Sequence, residues 1–454
     1  MSHAVSVAAS IVDLKVSIQE SDTIHPSSSN KTDQKSMFLS HLDQSDDLNL
    51  QTLHFFTSNP DFSPESVVER LRGAVRESLD PFFFVAGRKK RNADSHKLVI
   101  DCSDSVGVGF VVAKSECTLE EIGDLAYPHP AFEQLVSLDL KRGDDKLLLN
   151  FQVTIFKCGG FSMGITNDHI TFDGVSFKIY LHSLAAFAAN RPMIITPYTD
   201  RHLLAAQSPS SPHIAFQQSK LPRSLLNPLD VSEQSHPLIV SVFKLDASDI
   251  AKLKRKAVKS DDQPDENTKG DASKHMISGF NVTAALIWKN RVSTICYAVD
   301  VRSRLQPRLP ESYIGNAVVL AYATPSTYTE LKSCSFRKVV EMVAEGAMEI
   351  THDSVRCVLD GMDPRDNEEY FYGECLVSSW CKLGIERVEY PWGKPKYYCP
   401  VVYRKKNSVV MFPSMQNEDG SLSNNGTGIN VLVTHSSSEE MNIFERHFSE
   451  LLEE

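Results

Sequence analysis

The chain is 454 residues long and, at roughly 150 residues per domain, has room for two or three domains. Its composition, 41% hydrophobic and 23% charged, is that of a folded globular protein and excludes a disordered or fibrous chain. The net charge of -11 disfavours a nucleic-acid binder, because such proteins carry a surplus of basic residues. Nine cysteines, an odd number without a Cys-x-x-Cys pair, favour reduced thiols over a disulfide framework or a structural zinc site.

No apolar stretch approaches the roughly 18 residues that a membrane-spanning helix needs. The first residues lack the basic start and the long apolar centre of a signal peptide, and the last ones carry no lipidation or retention signal. These features predict a cytoplasmic protein without an integral membrane segment.

The N-terminal segment, residues 1–36, begins with a strand-like stretch at 11–18 and continues as a polar, serine-rich sequence. The first domain is predicted to occupy residues 37–190. Strands are predicted where apolar residues alternate, at 50–56, 97–100, 106–113, 147–155 and 160–167. We expect the second and third of these strands to form a hairpin. Helices are predicted after Pro64 and from Gly174, because apolar residues recur there with the helical period.

Residues 191–225 are rich in proline and serine and are predicted to be a long crossover linker between two domains. The second domain, 226–454, again alternates strands and helices. It is interrupted by a polar stretch at 259–274, which is typical of a disordered loop. A helical pattern from 328 to 350 predicts one long helix. Because strands alternate with helices in both halves, the predicted fold class is α/β.

The most informative local motif runs from His169 to Gly174, where a predicted strand ends and a glycine opens the next helix. A histidine just past a strand end is well placed to project into a cleft and act on a substrate. The same residues also have structural interpretations: Asp173 as a helix N-cap and His169 as a partly buried loop residue. A metal site built on His169 and Asp173 would need a third ligand, and the neighbouring Asp168 is the only nearby residue that could supply it.

Two further motifs lie in the C-terminal half. Residues 378–395 contain two of the three tryptophans, and their prolines and glycine impose a rigid, non-helical path. Taken alone, this segment indicates a loop anchored by a buried tryptophan. The predicted strand at 299–304 carries two arginines and is followed by a glycine turn at 313–316. Those arginines suit either an anionic ligand or a buried acid across a domain interface.

In their order and spacing, these motifs resemble those of the plant BAHD acyltransferases, which transfer acyl groups from coenzyme A thioesters to alcohols or amines. The family's His-x-x-x-Asp-Gly motif corresponds to His169–Gly174. Its Asp-Phe-Gly-Trp-Gly motif reads Glu-Tyr-Pro-Trp-Gly at 389–393, and its Tyr-Phe-Gly-Asn motif reads Tyr-Ile-Gly-Asn at 313–316. Shorter matches at 39–43 and 86–88 extend the resemblance over nearly the whole chain.

The resemblance implies two similar domains of mixed β-sheet flanked by helices, as in chloramphenicol acetyltransferase, with a channel along their interface. It implies a monomer that binds no cofactor or metal, takes an acyl-CoA as co-substrate, and acylates a small-molecule acceptor. A hydroxycinnamoyl donor is the acyl-CoA that the resemblance suggests. In this scheme His169 is the general base, and the acceptor attacks the thioester directly, without an acyl-enzyme intermediate.

The resemblance also suggests residues that contact the substrates. The Ser378 hydroxyl would stabilise the tetrahedral oxyanion, and Trp380 would lie beside the bound substrate. Arg365 would hold an acceptor carboxylate, as in hydroxycinnamoyltransferases that act on shikimate or quinate. Its other interpretation is a solvated loop arginine.

Other motif residues would be structural. Asp173 would turn away from the channel and pair with Arg302 of the second domain, so that it is not the acid of a catalytic triad. Gly174 would open the helix that follows. Trp392 and Gly393 would shape a loop without taking part in the chemistry.

The second motif departs from the family pattern, and this departure keeps an alternative function open. At 389–391, glutamate keeps the charge and tyrosine keeps the ring, but proline restricts φ and removes an N–H. Some family members are non-catalytic and act as accessory proteins through protein contacts, which is the alternative prediction here. The intact residues His169, Asp173 and Gly174 favour an enzyme. A hydrolase of acyl-CoA is a further alternative, for which we predict no nucleophile elbow.

Overall fold

The computed structural model describes residues 13–26, 36–44, 49–93, 95–103, 106–127, 129–137, 146–207, 238–258, 277–289, 294–323, 328–361, 375–401, 408–415 and 428–453. Arg365, the linker residues 208–225 and the polar stretch 259–274 lie outside these described residues, so the predictions made for them stay predictions.

Strands and helices alternate along the described chain. The strands are β1 (Val16–Ile24), β2 (Ser36–Phe38), β3 (Asn49–Phe56), β4 (Arg88–Arg91), β5 (Leu98–Asp101), β6 (Val108–Ser115), β7 (Leu149–Phe156), β8 (Phe161–Asp168), β9 (Ile239–Leu245), β10 (Ile295–Asp300), β11 (Val318–Ala323), β12 (Cys375–Ser379), β13 (Tyr397–Pro400), β14 (Ser408–Ser414) and β15 (Gly428–His435). The helices are α1 (Pro64–Ser78), α2 (Leu119–Ile122), α3 (Gly174–Ala188), α4 (Ala247–Val258), α5 (Gly279–Lys289), α6 (Tyr328–Ser333), α7 (Phe336–Met348), α8 (His352–Gly361) and α9 (Ser438–Glu453). Among the described residues, no helix combines the length and the apolar character needed to cross a bilayer.

Each half of the chain is built around one mixed six-stranded sheet. The N-terminal sheet has the order β1-β6-β7-β8-β3-β13, with β6 and β7 parallel. The C-terminal sheet has the order β11-β10-β12-β14-β15-β9, with β12 parallel to both β10 and β14. Each sheet packs against helices and has its own buried hydrophobic cluster. The predicted α/β class with two similar mixed sheets is therefore confirmed.

The two halves are interlocked rather than merely adjacent. Strand β13 comes from the C-terminal half but pairs with β3 in the N-terminal sheet, with Tyr398 opposite His54. Next to it, the Asn430 side-chain amide of the C-terminal sheet donates to the Tyr397 hydroxyl at 2.6 Å. Lys244 of β9 forms a 2.6 Å ion pair with Asp124. These contacts fix the interface to which the motif residues contribute.

Four secondary-structure predictions are wrong in their details. The N-terminal strand β1 is Val16–Ile24 and not 11–18. Strand β10 ends at Asp300, so that Arg302 and Arg304 lie in a turn after it and not in the strand predicted at 299–304. The expected hairpin between 97–100 and 106–113 does not form, because β5 pairs with β2 and β4, whereas β6 pairs with β1 and β7. The expected single helix over 328–350 is two helices, α6 and α7. Ser335 lies between them and caps α7 by accepting a hydrogen bond from the Lys338 backbone N–H, which sets a new helix start.

Candidate active site

The loop between β8 and α3, residues 169–173, carries His169 to the interface between the two halves. Asp168 is buried at the end of β8, where its carboxylate lies 3.1 Å from the Lys89 ammonium and accepts from the Ile170 backbone N–H at 3.2 Å. At the other end, Asp173 is the N-cap of α3 and accepts from the Ser176 backbone N–H at 2.9 Å. Both ends of the loop are therefore tied by carboxylates.

The His169 imidazole is suited to act as a neutral base. Its side chain is half-buried by surface area but is surrounded by protein. Burial lowers the pKa of His169 below its usual 6.5, because it disfavours the charged imidazolium. The nearby carboxylates of Asp173 and Asp168 oppose this effect but do not cancel it. The lowered pKa favours the neutral ring, which is the form that can accept a proton.

Asp173 and Arg302 form a bidentate ion pair across the interface. The Arg302 Nη1 and Nη2 atoms lie 2.8 Å and 2.9 Å from the two Asp173 carboxylate oxygens. The Asp173 carboxylate also accepts from the Ala317 backbone N–H at 3.0 Å. Burial alone would raise the pKa of Asp173, but Arg302 and the backbone donors outweigh it and hold that pKa below its usual value. Both carboxylate oxygens are occupied by these partners.

A second buried ion pair, between Asp43 and Arg201, went unpredicted. Both side chains have no exposed surface, and Arg201 Nη1 lies 2.9 Å from Asp43 Oδ1. Asp43 ends the 39–43 segment that matched the family pattern, but no role was assigned to it. Arg201 lies in the predicted crossover linker, where no periodicity or motif marks it as buried.

Ser378 lies near the end of β12, and Trp380 follows directly after this strand. Ser378 is half-buried opposite Val410 of β14, and the Trp380 backbone N–H donates to the Met411 carbonyl at 2.7 Å. The Trp380 and Leu383 side chains pack against the hydrophobic cluster of the N-terminal half. A Cβ atom added to Gly174 would lie 2.7 Å from Leu383, so glycine permits this close approach at the start of α3.

The variant motif at 389–393 forms a tight turn that accommodates its proline. Tyr390 and Gly393 exchange backbone hydrogen bonds of 3.2 Å and 2.9 Å, which places Pro391 at the second turn position. Its fixed φ suits that position, and its missing N–H is not needed there. Gly393 has a φ of 115°, which side-chain-bearing residues rarely adopt. The departure from the family pattern is therefore compatible with an ordered turn.

Aromatic packing anchors this turn to the N-terminal sheet. The Tyr390 and Trp392 rings stack at a centroid distance of 5.1 Å and an interplanar angle of 10°. Phe56 of β3 and Phe161 of β8 meet the Trp392 ring edge-on at 6.3 Å and 6.0 Å. Trp392 thus has packing neighbours on β8, the strand that leads to the His169 loop, and on the adjacent strand β3.

Replacing Tyr390 with phenylalanine should stabilise the protein. The buried Tyr390 hydroxyl has no hydrogen-bond partner among the described residues, and an unpaired buried hydroxyl is unfavourable. We expect Tyr390→Phe to raise the free energy of unfolding by about 1 kcal/mol, measured by urea denaturation. The control is Tyr180→Phe, which removes a hydroxyl that is 3.2 Å from the Ser78 hydroxyl and should give no gain. A loss of stability in Tyr390→Phe would show that its hydroxyl has a partner.

A sequence pattern at the start of strand β8 bears on the hydrolase alternative. Residues 160–164, Gly-Phe-Ser-Met-Gly, do match the Gly-x-Ser-x-Gly pattern of hydrolases. They do not form a nucleophile elbow, because Ser162 lies inside β8, whereas an elbow stands at a strand-to-helix turn. In the described part of the chain, no group of three or more His, Cys, Asp or Glu side chains is arranged to hold a metal ion.

Comparison with known proteins identifies the family. The model of the Transferase family matches residues 14–451. Acyltransferase GLAUCE of Arabidopsis thaliana is 42% identical over 460 residues, which is 97% of each chain. Shikimate O-hydroxycinnamoyltransferase of Nicotiana tabacum is 28% identical over 431 residues, covering 90% of this chain and 95% of the relative.

Solved structures share the fold. Vinorine synthase superposes with a TM-score of 0.69 at 20% identity, covering 94% of this chain and 96% of that one. TRI101 of F. graminearum, complexed with ethyl coenzyme A, gives a TM-score of 0.65 at 17% identity over 90% and 96% of the two chains. The family match over residues 14–451, together with the relative that is 42% identical over 97% of both chains, shows that this protein belongs to the BAHD acyltransferases.

Proposed function

We propose that this protein transfers an acyl group from an acyl-CoA thioester to a hydroxyl or amine of a small plant metabolite, with His169 as the general base. The observation that carries this proposal is the half-buried His169 imidazole on a loop whose two ends are tied by carboxylates at the interface of the two halves. Burial lowers the pKa of His169 and so favours its neutral form. The names of the relatives support acyl transfer as the reaction. The coenzyme A complexes of TRI101, which has the same fold, support an acyl-CoA donor.

The proposed reaction has two steps. An alcohol is a poor nucleophile at neutral pH, so His169 accepts its proton while the oxygen attacks the thioester carbonyl carbon. The carbon–oxygen bond forms and the carbonyl becomes an oxyanion, to which the Ser378 hydroxyl donates. When the oxyanion collapses, the carbon–sulfur bond breaks. His169 then returns the proton to the departing thiolate, so that the free thiol of coenzyme A leaves.

The remaining motif residues support this chemistry without touching the reacting atoms. Asp173 and Arg302 dock the two halves beside the His169 loop, Gly174 lets Leu383 approach, and Trp392 with Gly393 anchors the turn after β12. We propose that Trp380 contacts the bound substrate. The protein is expected to work as a cytoplasmic monomer without a bound cofactor.

A hydroxycinnamoyl donor is the finer part of the proposal. Relatives from Arabidopsis thaliana and Avena sativa are named as an omega-hydroxypalmitate O-feruloyl transferase and a 5-hydroxyanthranilate N-hydroxycinnamoyltransferase. These names support an aromatic acyl group, and they include both hydroxyl and amine acceptors. Arg365 is our candidate for binding an acceptor that carries a carboxylate.

Product formation tests the function directly. Purified protein is incubated with aromatic, acetyl and long-chain acyl-CoA donors and a mixed plant metabolite extract, and free thiol and new acylated masses are followed. An ester or amide that appears only with donor and acceptor together supports the transferase. Thiol release that is independent of any acceptor would indicate a hydrolase. Donor binding without any product would favour the non-catalytic accessory protein.

The pH dependence of the reaction should report the lowered pKa of His169. Because only the neutral imidazole accepts a proton, kcat/KM should fall as the pH drops through that pKa. Burial lowers this pKa, so the midpoint of the acid limb should lie below 6.5. A pH-rate profile with product measured by mass spectrometry checks this, and a midpoint above 6.5 would contradict it.

A further inference from the structure

Arg201 makes contacts that reach beyond its ion pair with Asp43. Its Nη1 atom also donates to the Ile170 carbonyl at 2.6 Å, and its Nη2 atom donates to the Thr171 carbonyl at 2.8 Å. The guanidinium carbon lies 5.3 Å from the ring centroid of Phe84, which covers one side of the group. One buried cation from the linker region therefore holds two consecutive carbonyls of the His169 loop.

Asn316 holds the carbonyl that precedes these two. Its side-chain amide nitrogen lies 2.8 Å from the His169 carbonyl and 3.1 Å from Asp43 Oδ1. Its backbone N–H also donates to Asp43 Oδ1 at 2.8 Å. Asp43 is in turn fixed by the Ser40 backbone N–H and hydroxyl at 2.8 Å and 2.7 Å. A single carboxylate thus orients both donors that face the loop.

We propose that Arg201 and Asn316, oriented by Asp43, are positioning residues that fix the backbone at His169 and thereby place its imidazole for proton transfer. This inference rests on the proposed function of His169. Three successive carbonyls, those of His169, Ile170 and Thr171, are each held by a side-chain donor. Fixing successive peptide planes leaves the His169 backbone little rotational freedom. The imidazole is therefore attached to a backbone that holds one position relative to the bound substrate.

This carbonyl clamp, Asp43, Arg201 and Asn316, holds a different part of the loop from the ion pair of Asp173 and Arg302, which contacts the backbone on either side of Asn316. The ion pair holds the end of the loop that begins α3, whereas the clamp holds the residues next to the base. The clamp residues come from the part of the first domain that precedes β3, from the linker region and from the C-terminal half. The histidine is therefore correctly placed only when all three parts of the chain are docked.

The test replaces the planar, two-pronged guanidinium with a point charge. Arg201→Lys keeps the charge opposite Asp43, but one ammonium cannot reproduce the fixed fork that reaches two carbonyls and stacks on Phe84. We expect kcat to fall about 10- to 100-fold with an unchanged KM for the acyl-CoA, because misplacement of the base impairs the chemical step. Asn316→Ala is the second variant, expected to act in the same direction if Arg201→Lys folds poorly.

The matched control is Arg304→Lys. Arg304 also donates to two backbone carbonyls, those of Ala347 and Ile350, but these belong to the helical region of the C-terminal half. Arg304→Lys should lose some stability, as any replacement of a guanidinium bonded to carbonyls would, but it should keep the wild-type kcat. If folded Arg201→Lys and Asn316→Ala both match Arg304→Lys in kcat, the positioning role is wrong.

A readout that does not depend on activity separates this inference from the proposed function. In protein with isotope-labelled histidine, the ring Cε1–H signal of His169, assigned with His169→Gln, should be a single narrow resonance. It should broaden or split in Arg201→Lys and stay unchanged in Arg304→Lys. An inactive wild type with this pattern would refute the proposed function and retain the clamp. An unchanged signal in Arg201→Lys and Asn316→Ala would refute the clamp, whatever the activity.

Discussion

Replacing His169 with alanine should lower acyl transfer by about 10²- to 10⁴-fold and leave the protein folded, because that is the loss expected when a general base is removed. The imidazole is the proposed base on the loop between β8 and α3, and its removal leaves the carboxylates that tie both ends of that loop in place. Initial rates of product formation at saturating donor and acceptor measure the loss. Urea unfolding of the same samples checks that the fold is intact.

His182→Ala is the matched control for this experiment. His182 is also half-buried, and burial lowers its pKa as well, but it lies in the body of α3 and outside the His169 loop. Its replacement should leave the transfer rate near that of the wild type. A wild-type rate of transfer in His169→Ala would show that His169 is not the general base. An equal loss in both variants would point to damage to α3 and not to the chemistry.

The same comparison decides between the enzyme and the accessory protein. A non-catalytic family member would depend on its surface and its fold, so His169→Ala would keep its biological role. The ordered turn at 390–393 bears on this question as well. Its proline occupies a position that tolerates proline, and Trp392 packs on β3 and β8, so the variant motif gives no structural reason to expect a disrupted site.

Local patterns in the sequence were enough to predict the fold class, whereas strand pairing was not fully predictable. The alternation of a strand and the period of a helix depend on which face of the element is buried. Each pattern is visible within a single segment of the sequence. The choice of a neighbouring strand depends on distant parts of the chain. This is why β5 and β6 were wrongly joined in a hairpin, and why the pairing of β13 with the distant β3 was not foreseen.

The candidate site also has one part that is predictable from local sequence and one part that is not. The His169 motif combines a strand end, an N-cap and a helix start, all of which are local features that sequence reasoning can detect. Arg201 and Asp43 are 158 residues apart, and the arginine lies in a segment whose prolines and serines predict a long crossover linker. Only the folded chain reveals that this segment supplies a buried cation beside the histidine.

Among the single variants proposed for this protein, Asp173→Ala should show the largest fall in the free energy of unfolding. In Asp173→Ala, Arg302 keeps its charge in a buried site but loses a bidentate partner at 2.8 Å and 2.9 Å. Breaking a buried pair from one side costs about 3–5 kcal/mol, so the free energy of unfolding should fall by that amount at pH 7. Transfer activity should fall too, because the start of α3 loses its cap and its link to the C-terminal half.

Two comparisons make this prediction specific to the buried pair. Asp300→Ala removes another carboxylate that contacts Arg302, at 3.0 Å, but that side chain is 46% exposed and should contribute little. The double variant Asp173→Ala with Arg302→Ala should lose less than the sum of the two single variants, because no buried charge is left without a partner. Additive losses, or an equal loss in Asp300→Ala, would contradict a docking role for the pair.

The pH dependence of stability gives an independent check on Asp173. Its pKa in the folded protein lies below the ordinary 3.8, because Arg302 and the backbone donors outweigh the effect of burial. A carboxylate with a lowered pKa stabilises the fold above 3.8, and this contribution disappears as the pH falls through the folded-state value. The stability difference between wild type and Asp173→Ala should therefore be constant from neutral pH to above 3.8 and shrink below it. Urea unfolding across that range measures the difference, and a gap that already narrows near neutral pH would show that the carboxylate is not held by Arg302.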